Sequence, residues 1–248
     1  MKKMRIGKII ITIFTWIIIS FIMIWSTKEG SIVRKNRALV DHQIEIENSE
    51  KQMFLKKSDV VNILETFSSN YDSINYKEIN ITLLEELLRD QPQILQAEVF
   101  STWKGLLKIN VTQKKAKARM IDNKGMAYVD EMGNLFPLSE HDSDKLTVIS
   151  GFFDSEKRIQ VLNFIEKASK HPSFPNGISS VHRENDGTYI VYPAWHGHSI
   201  TWGLDDFFEI KAHKAQAVYA YLLETNNLDK LSHLDLRYSG QAVYKVNN

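Results

Sequence analysis

There is no cysteine anywhere in the 248 residues. Disulfides, thiolate catalysis and cysteine-ligated zinc are thereby excluded, a pattern that fits an envelope protein of a simple cell. An excess of charge is missing too. A net charge of +1 offers no basic bias of the kind a nucleic-acid partner favours. The common signatures of chemistry are absent as well: no G-x-S-x-G, no glycine-rich phosphate loop and no H-E-x-x-H occurs. No internal repeat or low-complexity stretch is visible. A hydrophobic share of 43% is ordinary for a globular chain, and the length allows one large or two small domains.

The N-terminus carries the one long apolar run. Residues 9–25 hold no charge, and 17 residues at about 1.5 Å each reach about 26 Å, the low end for a bilayer core. Trp25 sits where an interfacial aromatic belongs. "MIWSTKEG" lacks the small-residue site of a cleaved signal peptide, so the run reads as an uncleaved anchor. Lys2, Lys3, Arg5 and Lys8 precede it, and Lys28, Arg34, Lys35 and Arg37 follow, nearly a tie. Long domains translocate largely regardless of such charges, which favours a short cytoplasmic head and a large exported part.

The exported part is α+β. "ALVDHQIEIE" alternates as a strand. Val60, Ile63, Leu64 and Phe67 make the stripe of a short helix. "NITLLEELLRDQP" is a second helix, capped by Asn80 or Thr82; Thr82 with Glu85 fits a capping box, and Pro92 stops it. Leu107, Ile109 and Val111 alternate with polar residues in a hairpin that follows. From about Lys117 the chain is strand-rich, with turns at 132–134 and at Asp186-Gly187. Two helices interrupt it. The first is capped by Asp154 or Ser155, with Ile159, Leu162 and Ile165 facing inward; the second is the long amphipathic stretch after Asp205. "HLDLRYSGQAVYKV" closes the chain as two alternating runs around a Ser-Gly turn.

Candidate chemistry is thin. His196 and His198 would share a face on a strand and could begin a metal site, but no third ligand is placed, and they read as surface histidines. Asp205, Asp206 and Glu209 could suggest acid–base work on a sugar polymer, yet acids are favoured where a helix opens. Asp130-Glu131 reads as solvated turn chemistry. Trp103 and Trp195 lie near turns, and packing against a neighbouring strand is favoured over a partner contact for both. Tyr189, Tyr192, Trp195 and Trp202 read as residues that fill or flank a sheet core. No catalytic residue, cofactor, metal, nucleic-acid or small-molecule substrate is predicted.

The order of these pieces resembles the bacterial cell-division family FtsQ/DivIB. "LLEELLRDQPQILQAEVFSTWKGLLKINVTQKKAKARMI" is similar to its paired helix, hairpin and basic crossing; "AYVDEMGNLFPLS" to its Asp…Gly…Pro hairpin; "GHSITWG" and "LDLRYSGQAVYK" to its C-terminal signature. Gly-Gln-Ala-Val after the turn resembles the Bacteroidetes side of the family. The crossing lacks a proline near Ala116, and only three residues follow Lys245. The resemblance implies a head (1–8), a single transmembrane helix (9–25), a membrane-proximal linker (26–37), a POTRA-type βααββ module (38–116) and a β-rich C-terminal domain with flanking helices (117–248).

It also implies a single-pass inner-membrane protein, N-terminus inside, that is a non-enzymatic scaffold of the divisome. Its partners would be small coiled-coil division proteins of the FtsB/FtsL type and other divisome components, and its role to localise and regulate septal peptidoglycan synthesis. The partner is expected on the final strand, by strand addition. Carried over by position, the binding strip is Arg237, Tyr238, Ser239 and Gly240 before that strand and Gln241, Ala242, Val243, Tyr244 and Lys245 along it. Arg237 would meet an acidic partner residue or pair internally with an acid such as Asp235. The rival readings are an anchored cell-wall-acting enzyme and a POTRA-type chaperone or secretion component.

Overall fold

The computed structural model describes residues 14–25, 41–48, 50, 52–67, 79–102, 106–141 and 145–247. Residues 14–25 are helical and exposed. Among the described residues no helix is long and apolar enough to cross a membrane. The start of the expected 9–25 span, the head 1–8, the linker 26–37 and Trp103 lie outside the described residues.

The chain divides into two compact units: Met1–Glu47 with Lys56–Thr112, and Asn48–Leu55 with Gln113–Asn248. The first contains β1 (Asp41–Glu47), α1 (Lys57–Phe67), α2 (Ile81–Arg89), β2 (Ile94–Ser101) and β3 (Leu106–Gln113, its last residue counted with the second unit). Its sheet runs β1-β3-β2, with β1 parallel to the central β3. A parallel pair cannot be joined by a tight turn, and the helices and β2 fill the excursion between β1 and β3. Leu107, Ile109 and Val111 are buried in strict alternation, and Val60, Leu64, Leu84 and Leu88 are the buried helical positions. Asn80 is the α2 cap, its side chain accepting from Leu83 N–H at 3.1 Å. Thr82 is therefore inside the helix, and the Thr82–Glu85 capping box does not form. Glu85 instead accepts from the Val99 N–H at 2.8 Å, tying α2 to β2.

The second unit is a nine-stranded sheet ordered β12-β11-β10-β9-β8-β7-β4-β5-β6. Its strands are β4 (Ala116–Asp122), β5 (Gly125–Asp130), β6 (Leu135–Pro137), β7 (Val148–Gly151), β8 (Ile178–Arg183), β9 (Tyr189–Pro193), β10 (Ser199–Gly203), β11 (Leu231–Asp235) and β12 (Val243–Val246). β7 and β8 are parallel, as are β10 and β11. Each pair needs a crossover, which α3 (Ser155–Lys170) and α4 (Phe208–Glu224) supply. Both helices bury into one core. Val161, Phe164 and Ala168 of α3 and Ala212, Ala215, Tyr219 and Leu222 of α4 join Ile149, Val181, Val191, Ile200, Trp202 and Leu234 of the strands. Phe164 meets Trp202 edge-on at 5.1 Å between centroids.

Several expectations are corrected here. Ile159 is 40% exposed, with Leu162 and Ile165 only at the margin, because the inward stripe of α3 is Val161, Phe164 and Ala168. Tyr192 is exposed, while Tyr189 and Trp202 are core. Asp130 is buried rather than solvated, and its carboxylate accepts from Met132 N–H at 2.9 Å and Asn134 N–H at 2.8 Å to hold the β5–β6 turn. Asp154, not Ser155, caps α3, accepting from Lys157 N–H at 2.9 Å.

Residues 48–55 were not expected in this unit. Phe54 packs with Ala116, Tyr128 and Phe136, its ring 4.7 Å from that of Tyr128. Two side-chain amides hold the segment. Gln52 bonds both Ala116 N–H (2.9 Å) and Ala116 C=O (3.0 Å), as a paired strand would. Gln113, fully buried, accepts from Phe54 and Leu55 N–H, both at 3.2 Å, and donates to the carbonyls of Asn48 and Gln52.

Candidate partner-binding edge

The two ends of the nine-stranded sheet differ. β6 has three residues and finishes on Pro137, which has no N–H to offer; short strands and proline are the usual ways an edge is blunted. β12 at the other end is exposed at every residue. Val243, Tyr244 and Val246 are all more than one-third exposed, and only Lys245 adds charge. Among the described residues β12 pairs on one side alone, antiparallel with β11, through His233↔Lys245, Leu234↔Tyr244 and Asp235↔Val243. Among the described residues no strand pairs with its other side. The sequence-predicted strip separates accordingly: Val243, Tyr244 and Lys245 lie on β12, which extends to Val246, while Gln241 and Ala242 belong to the turn before it.

Three contacts fix the turn. The first is Lys214 of α4, which no sequence motif singled out. Its ammonium donates to the carbonyls of Leu236 (2.9 Å), Tyr238 (2.8 Å) and Gln241 (3.2 Å), so one cation gathers the chain just before β12. Burial pulls the Lys214 ammonium below its usual range. The i+22 to i+27 spacing hides this role from any local reading. Tyr221 of the same helix lies against Tyr244, ring centroids 6.5 Å apart.

The second is Arg237. It pairs internally, Nε to Asp235 Oδ1 at 3.0 Å and Nη2 to Oδ2 at 2.7 Å, and its own N–H donates to Oδ1 at 3.1 Å. Of the two expectations for Arg237, the internal pair is the one present. The hydrogen bonds from Arg237 hold the Asp235 carboxyl below the usual carboxylate range. Asp235 is buried, but half of the Arg237 side chain faces solvent, so the guanidinium presents an anchored cation.

Glycine 203 is the third. Its φ of 83° is left-handed, and a Cβ there would come within 3.0 Å of Arg237 Cγ; the arginine stem crosses a position that only glycine leaves open. A cavity of about 440 Å³ lies beside it, lined by Leu204, Phe207, Ile210 and Lys211 with Arg237 and Tyr238. Phe207 caps α4 at a left-handed φ of 48° with 70% of its surface exposed.

The other candidates fall elsewhere. His196 and His198 precede β10 rather than lying on it. His198 is buried against Tyr219, Nε2 to the hydroxyl at 2.8 Å, which corrects the surface reading, and burial lowers its pKa to about 4. Asp206 pairs with Lys211. Asp205 and Asp206 precede α4, and only Glu209 lies in its first turn. His171, Glu209 and His213 come together although His171 is remote in sequence. Ser150 Oγ on β7 is 2.9 Å from His182 Nδ1 on β8, and His182 Nε2 is 3.6 Å from Glu184 just after β8.

The first unit is a three-stranded βααββ module and the second a broad nine-stranded sheet. Residues 40–112 match the family model of the POTRA-like domain, and residues 116–244 match that of FtsQ/DivIB, C-terminal related. The second match covers over half of the chain, which belongs to the FtsQ/DivIB family of bacterial cell-division proteins. Comparison with the curated proteins gives no match.

Proposed function

We propose that the chain is a membrane-anchored, non-enzymatic scaffold of the division machinery. It takes up a strand of a small coiled-coil division protein, of the FtsB/FtsL type, on β12, and so helps localise and regulate septal wall synthesis. The observation that carries this reading is the terminal place of β12: every residue exposed, one side paired with β11 and, among the described residues, the other side open. Main-chain hydrogen bonds then supply affinity, and the exposed Val243, Tyr244 and Val246 supply alternating side-chain contacts. The Arg237 guanidinium, already oriented by Asp235, offers its remaining N–H groups to an acidic partner residue. Anchoring rests on the apolar run at 9–25 and on family membership.

The test is Tyr244→Pro in the full-length protein. It removes one ladder donor and misfits strand geometry. Capture of FtsB- and FtsL-type partners from membranes is expected to fall at least tenfold while the melting temperature stays within about 2 °C, since β12 is exposed. Truncation after Ser239 should abolish capture. A folded Tyr244→Pro protein that captures both partners normally and supports division in a depletion strain would overturn the proposal.

A further inference from the structure

His171 is the C-cap of α3, and Glu209 and His213 stand one turn apart at the start of α4. Each residue presents one ligand atom, and the three atoms lie within 4.8 Å of one another. His213 Nδ1 is 2.7 Å from the Glu209 carbonyl oxygen, so the neutral ring donates there and keeps its Nε2 lone pair. Metal-binding histidines are commonly held in this way, one nitrogen fixed on a carbonyl and the other left for the ion. The His171 side chain is only 10% exposed, and its ring stands edge-on to Phe208 and to His213, with centroids 6.0 Å and 5.5 Å away. Its Nε2 lies 3.9 Å from Glu209 Oε2, too far for a hydrogen bond and near the spacing of two ligands around one ion. The negative end of α3 adds a favourable potential for a cation.

We propose that His171, Glu209 and His213 form a binding site for a divalent transition metal of the zinc class. Two imidazoles and one carboxylate suit zinc, cobalt or nickel, whereas magnesium and calcium prefer oxygen alone. Water completes the fourth position. The ion ties the end of α3 to the beginning of α4, beside the hydrogen bond that Ser173 Oγ donates to the Ala212 carbonyl at 2.8 Å. Two features set the strength of binding. Ser173 N–H donates to His171 Nδ1 at 3.2 Å, so the metal-free neutral ring carries its proton on Nε2. Binding moves that proton to Nδ1 and opens the Ser173 hydrogen bond. The ligand atoms must also close to about 3.3 Å, the separation set by tetrahedral bonds of about 2.0–2.1 Å. Both requirements point to an exchangeable ion with micromolar affinity rather than a permanent structural one.

The experiment uses the full-length chain without an affinity tag, in detergent, after chelator treatment. Cobalt(II) serves as the probe, with zinc(II) as competitor. One cobalt per chain is expected, with the intense visible bands of a four-coordinate site, displaced by zinc. Glu209 and His213 are exposed, so Glu209→Gln and His213→Ala should fold normally and weaken binding at least tenfold. His196→Ala, remote from the three ligands, should bind as the parent does. Absence of saturable cobalt binding, or equal binding by Glu209→Gln and His213→Ala, would overturn the proposal.

Discussion

Replacing Lys214 by methionine keeps the aliphatic stem and removes the three donors that gather the turn before β12. The bond to Leu236 C=O is the most sheltered, since Leu236 is fully buried, and those to Tyr238 and Gln241 are exposed. A hydrogen bond to a charged group contributes about 1.5–3 kcal/mol when sheltered, and exposed ones far less. Taking the lower half of that range for Leu236 and a few tenths for each of the others gives about 2 kcal/mol. Because β12 is the terminal strand of the sheet, this loss should appear as local opening of residues 237–246 rather than as global unfolding. Two kcal/mol is about a thirtyfold change in an equilibrium constant. Hydrogen exchange of the amides in 237–246 should therefore quicken about thirtyfold, with those of β8 and β9 unchanged. Partner affinity should weaken by a similar factor, because the added strand then has to order its template. Lys214→Arg should recover part of both effects. Unchanged exchange in 237–246, or a uniform increase across the sheet, would refute the idea that one ammonium pre-forms the edge.

Two further outcomes follow from buried polar groups. His198 is neutral in the fold and its Nδ1 has no partner among the described residues, so a second proton there would be buried without an acceptor among them. Its folded pKa, about 4, lies below the unfolded value of 6.5, so its contribution is present above pH 6.5 and is lost as pH falls towards 4. The shift corresponds to about 3 kcal/mol, and urea titrations of the parent should lose about that much more between these pH values than those of His198→Gln. Gln113→Leu leaves two N–H groups and two carbonyls of residues 48–55 without their partner, and chemical denaturation should show a loss of about 3 kcal/mol or more.

Local patterns revealed most of the elements. The alternation at Leu107, Ile109 and Val111 marks β3 because one face is dry, and Asp186-Gly187 marks the β8–β9 turn because few other pairs fit it. The buried face of α3 was misassigned, since Ile159 and Phe164 are equally apolar and only the tertiary fold chooses between them. The edge itself was legible in "HLDLRYSGQAVYKV", but not what shapes it. Lys214 acts over more than 20 residues, and Gly203 matters only because Arg237 passes across it. Gln52 and Gln113 look like solvent-facing amides until the chain brings Ala116 and Phe54 beside them.

Residues 48–55 belong to the larger unit but precede most of the smaller one along the chain. A cut at residue 113, which the matched family ranges would invite, removes Phe54 from its ring cluster and strands the buried amide of Gln113. The larger unit is therefore not a portable cassette. As the chain emerges from its N-terminus, this early segment has to wait through more than fifty residues for Gln113, Ala116, Tyr128 and Phe136, so the sheet that carries the binding edge is completed only after the smaller unit's strands have all been made.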